Sequence, residues 1–386
     1  MNRIAFIQHF GLGALGVSVI QKQAMVSLFA PETMTDRLYI GSYTDLPGQG
    51  ITICHFDSQS RSIQPDAVCG SKNPSFLVFG NQRKFLYAVN ETADFGGKNS
   101  GSVNSFACDE KTGRLTFLNS QPSLGASPCH LTLDRTGKFI LVANYMGGNV
   151  AVLPVLPDGK VGEPVEMVQH TGSGINKSRQ EVPHAHSVNL SPDNRFAFVC
   201  DLGIDRIMVY QFNHQTGKLT AAGTPWFQTA PGAGPRHFTF SADGKHAFAV
   251  NELNSTLTLF SYDGPRGKLT ELQTVTTLPE NFTGENTCAD VHLHPNGRFV
   301  FASNRGNDSI AVFSINREAG TLKLIQNQST LGKTPRNFVI HPSGRFLLAA
   351  NQNSNSVHVF SLDPGTAKLA PAGKSISIDK PVCLLF

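Results

Sequence analysis

PRHFTFSADGKHAFAVNE, residues 235 to 252, reads as an apolar strand, a polar Ser-Ala-Asp-Gly turn, a second apolar strand and a closing Asn-Glu pair. Short apolar runs on either side of a Gly-bearing turn mark a β-hairpin. The same reading fits PSFLVFGNQRKFLYAVNE (74 to 91), PCHLTLDRTGKFILVANY (128 to 145), AHSVNLSPDNRFAFVCDL (185 to 202), CADVHLHPNGRFVFASNR (288 to 305) and PRNFVIHPSGRFLLAANQ (335 to 352). The turns open on Gly80, Asp134, Ser191, Ser241, His294 and His341. Ten positions after each stands Asn90, Asn144, Asp201, Asn251, Asn304 or Asn351. Because that interval never varies, the polar residue belongs to the repeat.

Successive copies lie 47 to 57 residues apart, which is the spacing of propeller blades. Helical solenoids are excluded, since the runs are short, rich in Phe, Val and Ile, and bounded by Pro and Gly turns. A third strand such as NVAVLPV, STLTLFSY or SIAVFSI follows each hairpin, and a fourth such as GKLTAAG or GTLKLIQ follows that. Four strands make one blade. LYIGSYT (38 to 44) matches the second strand LYAVNET (86 to 92) but has no first strand before it, while PVCLLF (381 to 386) is a first strand where the chain stops. The pattern predicts one all-β domain over residues 37 to 386: a seven-bladed β-propeller of four antiparallel strands per blade. Pairing of the N- and C-terminal strands in one blade would close the ring, leaving no open central edge.

Composition agrees with many short strands and tight turns: 36 Gly, 22 Pro and 27 Phe against the single Trp226 in 386 residues. The net charge of +4 comes from Lys and Arg scattered singly through turns, which argues against nucleic acid as a partner. Seven cysteines (Cys54, Cys69, Cys108, Cys129, Cys200, Cys288, Cys383) never form a C-x-x-C pair and mostly sit in apolar runs. They read as packed thiols, with neither a zinc site nor a disulfide framework. Residues 1 to 36 fall outside the repeat. Arg3 and the apolar run Ile4 to Ile20, interrupted by Gln8 and His9, read as an N-terminal arm or a degenerate export signal. The unpaired cysteine count favours a reducing cytosol, but the apolar stretch tips the expectation towards export to the periplasm. No other segment approaches the roughly 20 apolar residues of a membrane span. Oligomeric state is not legible.

In an antiparallel hairpin the start of the first strand and the end of the second share one end of the blade. Around the ring both positions should converge on the mouth of the central channel. The second residue of strand one is Ser75, Cys129, His186, Arg236, Ala289, Arg336 and Val382; the residue after the repeat's Asn is Tyr43, Glu91, Tyr145, Leu202, Glu252, Arg305 and Gln352. His186, Arg236, Glu252 and Arg305 come from three neighbouring blades. A base, a proton donor and two fixed cations are the parts needed to hydrolyse an anionic ester or lactone. Asn251, His237 and Asn144 join Arg236 and Arg305 as candidate substrate-binding residues. Arginines at strand ends, outside the apolar layers, should be replaceable at a cost of no more than about 1 kcal/mol in stability. Arg336, in the slot of Arg236 two blades on, is expected to matter less than either. His184 and His186 form an H-x-H, but no third ligand of matching spacing accompanies them, so no metal or other cofactor is expected. His294, in a turn-opening slot, reads as a turn residue. No G-x-S-x-G elbow, H-E-x-x-H, Walker or dinucleotide glycine motif is present, and neither are the Trp-Asp or Gly-Gly signatures of WD40 and Kelch propellers.

PHAHSVNLSPDNR (183 to 195), GAGPRHFTFSADGKHAFAVNELNSTLTLF (232 to 260) and PENFTGENTCADVHLHPNGRFVFASNR (279 to 305) resemble the seven-bladed lactonases. That family includes bacterial 6-phosphogluconolactonase and the fungal carboxymuconate-lactonizing enzyme. The resemblance spans residues 37 to 386. It implies a site of His, Arg, Glu and Arg falling on His186, Arg236, Glu252 and Arg305. The implied activity is metal-independent hydrolysis of a sugar-acid lactone, foremost 6-phosphogluconolactone to 6-phosphogluconate, with a small anionic lactone as partner and a place in the pentose phosphate pathway. Either Glu252 or His186 would be the base, with the other as proton donor. Two alternatives stay open: a non-catalytic propeller holding an anion or a protein segment, and a metal-dependent or carboxymuconate-type lactonase or cyclase.

Overall fold

The computed structural model describes residues 35–386. Its strands form seven sheets, here numbered as blades in chain order: blade 1 (35–70, completed by 381–385), blade 2 (76–122), blade 3 (128–169), blade 4 (185–228), blade 5 (235–276), blade 6 (287–329) and blade 7 (335–377). Every blade has four antiparallel strands. In blade 7 the outermost is split into Leu369–Pro371 and Ile376–Ser377, both pairing with Ser356–Leu362. In blade 1, Pro381–Leu385 pairs antiparallel with Thr35–Ser42, as the two half-repeats at the chain ends predict. The first strand begins at Thr35, two residues before the expected boundary. The proposed export signal lies outside the described residues, apart from its last two positions.

The first strands touch one another in sequence, 76–79 to 128–133, then 185–190, 235–240, 287–293, 335–340 and 381–385, which returns to 76–79. They wall the central channel. Between each pair of neighbouring blades lies one apolar cluster, giving seven for the seven interfaces. Phe accounts for much of this filling: Phe56, Phe106, Phe198, Phe248, Phe260, Phe301, Phe313, Phe338 and Phe360 are all fully buried. Phe198, for example, stacks on Phe238 of the next blade at 5.5 Å between ring centroids. Each such side chain contributes about 1.5–3 kcal/mol on leaving water, so the ring is held by its inter-blade seams.

The invariant turn slot has a local cause. Asp134 Oδ1 accepts from the N–H groups of Lys138 and Phe139, Ser191 Oγ from Arg195 and Phe196, and His294 Nδ1 from Asn296. The side chain closes its own turn, and His294 is the turn residue it was read to be. Three positions on, φ is positive: Gly137, Gly244, Gly297 and Gly344 lie at 65–72°, and Asn194 takes the same conformation at 63°. All seven cysteines are free thiols. Among the described residues no helix is long and apolar enough to cross a membrane.

Candidate active site

The mouth is lined through a device repeated around the ring. In six blades the pairing of the first strand with the second skips a residue near its start: Cys129, His186, Arg236, Ala289 with Asp290, Arg336 and Val382. A bulge lifts the bypassed residue out of the pleat and re-aims its side chain. The second position of strand one is therefore a lining position by backbone geometry, whichever residue occupies it.

Three of the four predicted residues meet directly. Glu252 follows the second strand of blade 5. Its Oε2 receives Arg236 Nε at 2.9 Å and Arg305 Nη2 at 2.8 Å. A third guanidinium, Arg179, reaches Oε1 at 2.5 Å. Arg236 also donates to the Ala289 carbonyl and Arg305 to that of Cys288 at 2.7 Å. Burial opposes ionisation of Glu252, yet Arg305, Arg236 and Arg179 together outweigh it and hold the carboxyl well below the usual carboxylate range. Burial, then repulsion from Arg305 and Arg336, pushes Arg236 down to about 10. His186 stands beside this group without bonding to Glu252. Burial and the positive field of Arg236, His237, Arg336 and Arg305 hold its pKa well below the ordinary histidine value. Its ring is edge-on to Tyr145 at 5.4 Å, and Nδ1 faces Cys129 Sγ at 3.7 Å.

The expected surface position of the arginines needs correction for Arg236. Its side chain is 2% exposed, one of the largest fully buried in the protein, because the bulge points it across the channel wall onto Glu252. Removing it would take one of three cations from a buried carboxylate and leave a large side chain's space in the channel wall empty. Arg305, at 15% exposure, is closer to expectation.

The other proposed binding residues are placed elsewhere. Asn144 Nδ2 donates to Ser123 O and Asn149 Oδ1, and Asn251 Nδ2 to the Thr256 and Thr258 hydroxyls. Asn144 thus ties its strand to the connection from blade 2 and to the third strand, and Asn251 ties the second and third strands of its own blade. His237 sits behind His186, rings 5.4 Å apart, with Nδ1 held by Asp290 Oδ1 at 2.7 Å. Asp290 also joins His292 at 2.9 Å and Asn337 at 2.5 Å. His184, the other half of the H-x-H, stacks on Tyr145 at 4.5 Å and turns its two nitrogens to Tyr145 O and Glu181.

Arg179 was not found from the repeat, because it lies in residues 170–184, the long connection between blades 3 and 4. Asp201 pins both ends of that segment, binding His170 Nδ1 at 2.6 Å and the His184 N–H at 2.7 Å. Gln180 adds bonds to Leu202 O and Asp205 Oδ1. The readable signal was Asp201 itself, the one Asp among the six hairpins' Asn slots, opposite a connection longer than 123–127 or 330–334. Across the mouth a second group gathers from blades 7, 2 and 1. Arg336 lies over the Tyr43 ring at 5.5 Å and 3.9 Å from Glu91 Oε2, while the Tyr43 hydroxyl donates to that same carboxylate oxygen at 2.9 Å.

Comparison with known proteins bears on the fold and the activity. The family model described as "Lactonase, 7-bladed beta-propeller" matches residues 37–386. A 6-phosphogluconolactonase of Bacillus subtilis (strain 168) is 36% identical over 349 residues, covering 90% of this chain and 97% of its own. A 6-phosphogluconolactonase of Formosa agariphila is 37% identical over 309 residues, 78% of this chain and 85% of its own. The solved periplasmic gluconolactonase of Pseudomonas aeruginosa superposes with a TM-score of 0.85 at 35% identity, over 90% of this chain and 98% of that one. The chain belongs to the seven-bladed β-propeller lactonases, hydrolases of cyclic carboxylic esters.

Proposed function

We propose that the protein opens 6-phosphogluconolactone to 6-phosphogluconate, with His186 as the group that moves the proton. The observation that carries this reading is a desolvated imidazole beside a carboxylate already bonded by three guanidinium groups. Glu252 holds no proton at neutral pH and, with its charge shared among Arg236, Arg305 and Arg179, is a weak base. His186 is neutral there and keeps a lone pair available. The expectation that the two share the roles of base and proton donor is thereby narrowed to one residue acting twice.

In this mechanism water attacks the lactone carbonyl carbon as its proton passes to His186. The new C–O bond places negative charge on the former carbonyl oxygen, which Arg305 and Arg236 face as fixed cations. Collapse of the tetrahedral centre breaks the bond to the ring oxygen, and the imidazolium returns its proton there, freeing the hydroxyl. The product acid then ionises, releasing one proton. Glu252 is a positioning residue that aims the arginines, and the bulge fixes His186 against Cys129 and Tyr145. The names of the Bacillus and Formosa relatives support the phosphorylated substrate. The test is proton release in a pH-stat from phosphorylated and free aldonolactones against the buffer rate. Acceleration of 6-phosphogluconolactone opening supports the reading, and a rate no faster than buffer for every lactone overturns it.

A further inference from the structure

Four guanidinium groups and two carboxylates face the mouth, and they are not equivalently engaged. Arg179, Arg236 and Arg305 all close on Glu252. A phosphate drawn to them would meet that carboxylate. Arg336 is differently placed. Among the described residues its guanidinium makes no hydrogen bond; the one carboxylate oxygen within 4 Å of it there, on Glu91, is 3.9 Å away and already receives the Tyr43 hydroxyl. Side-chain exposure of 17% leaves it open to the channel. The Tyr43 ring beneath it holds the cation in place by a cation–π contact that uses no N–H donor. Arg336 is also close enough to Cys129, His186 and Arg236 to act on them electrostatically. Its bulge slot on blade 7 is the one His186 takes on blade 4, three blades round the ring, so both line the same channel mouth. Counting Arg179, Arg236, Arg305 and Arg336 against Glu91 and Glu252, the chamber has an excess of two positive charges. A phosphate monoester carries about −1.5 to −2 at pH 7.

We propose that Arg336, seated on Tyr43, is the phosphate-recognising residue, binding the 6-phosphate while the Glu252 arginines attend to the carbonyl across the mouth. This rests on the lactonase reading above and deepens it. In the lactone the phosphate hangs from a carbon outside the ring, so carbonyl and phosphate need two separate cationic poles, and blades 4 to 6 and blades 7, 1 and 2 supply them. A planar guanidinium with free donors matches two phosphate oxygens at once. Tyr43 has a second duty: its hydroxyl keeps Glu91 from closing on Arg336. Arg336 then has a role of its own, a different one from the lesser share in the Arg236 and Arg305 site expected from its slot.

The test compares kcat/KM for 6-phosphogluconolactone and glucono-δ-lactone in the wild type, Arg336→Gln and Tyr43→Phe, with folding checked by circular dichroism. Arg336→Gln should lower the value for the phosphorylated lactone about 30- to 300-fold and that for the free lactone less than about 3-fold, with loss of competitive inhibition by inorganic phosphate. Tyr43→Phe, a milder change, should raise KM for the phosphorylated lactone alone, since Glu91 is then free to pair with Arg336. Equal losses on both lactones, no loss on either, or a wild type indifferent to phosphate would each overturn the assignment while leaving lactone hydrolysis intact. A wild type that opens no lactone overturns the reading beneath it instead.

Discussion

Glu252→Gln separates the structural from the chemical work of the mouth. The substitution keeps the side chain's shape and one acceptor but removes the charge that holds Arg236, Arg305 and Arg179. Arg236 is 2% and Glu252 4% exposed, so water cannot replace the lost partner. Breaking a buried pair by neutralising one member costs about 3–5 kcal/mol; the repulsion between Arg236 and Arg305 adds in the same direction, whereas Arg179, at 37% exposure, adds little. With a urea m-value of about 3 kcal/mol/M for a domain of this size, the midpoint should fall by about 1 to 2 M. The pH dependence has a definite sign. The folded-state pKa of Glu252 lies below its ordinary 4.5, so its contribution is complete above that pH and is lost as pH falls towards the folded-state value. The gap between wild type and variant should be constant from pH 5 to 8 and narrow below 4.5. Urea unfolding followed by far-ultraviolet circular dichroism measures it. A variant within about 1 kcal/mol of wild type at pH 7, or a gap that widens in acid, would refute the account of Glu252 as the hub of a buried cation cluster.

His186→Asn should lower kcat about 10²- to 10⁴-fold. In the wild type the acid limb of kcat/KM should fall well below pH 6.5, since activity is lost only when the depressed imidazole pKa is crossed; a limb at 6.5 or above would contradict the site's electrostatics. Arg179→Ala, on a half-exposed side chain, should change stability by less than about 1 kcal/mol yet reduce kcat/KM measurably, and equal activity to wild type would make it a surface residue. Asp201→Ala should free both ends of residues 170–184, so limited proteolysis would cut between 174 and 182 before the blades unfold; cleavage no faster than in wild type would count against the pin. Deleting residues 381–386 should abolish cooperative unfolding, because blade 1 loses its innermost strand and two apolar seams open together.

The hairpin repeat was readable because its causes are local: a self-capping turn residue, a positive-φ glycine three positions on, and alternation set by the pleat. Ring closure followed from two half-repeats. The lining slots of His186, Arg236 and Arg336 were legible too, since every blade repeats them. What the residues could not give was how deeply Arg236 is buried or which partners it has. Both depend on a bulge, and pairing register is invisible in a run such as PRHFTF. The repeated Asn carries a signal of another kind: Asn90, Asn144, Asn304 and Asn351 donate to the connection that enters their blade and Asn251 to the neighbouring strand, and a structural requirement repeats as faithfully as a functional one. Arg179 lay outside the pattern altogether, in a connection whose course is fixed by the tertiary contacts of Asp201 and Gln180.

The pairing of Thr35–Ser42 with Pro381–Leu385 also sets a clock on the protein's birth. About 340 residues separate the two strands, and at roughly 5–20 residues per second the ribosome needs about 20 to 70 s to deliver the second after the first. Blades 1 to 7 can each form their outer strands as they emerge, but the nascent ring stays an open crescent throughout that interval, with a sheet edge and an apolar seam facing the cell. His186, Arg236 and Glu252 are all translated long before the channel they line has a complete wall. The wall of the candidate chamber is therefore completed only once Pro381–Leu385 is free to pair with Thr35–Ser42.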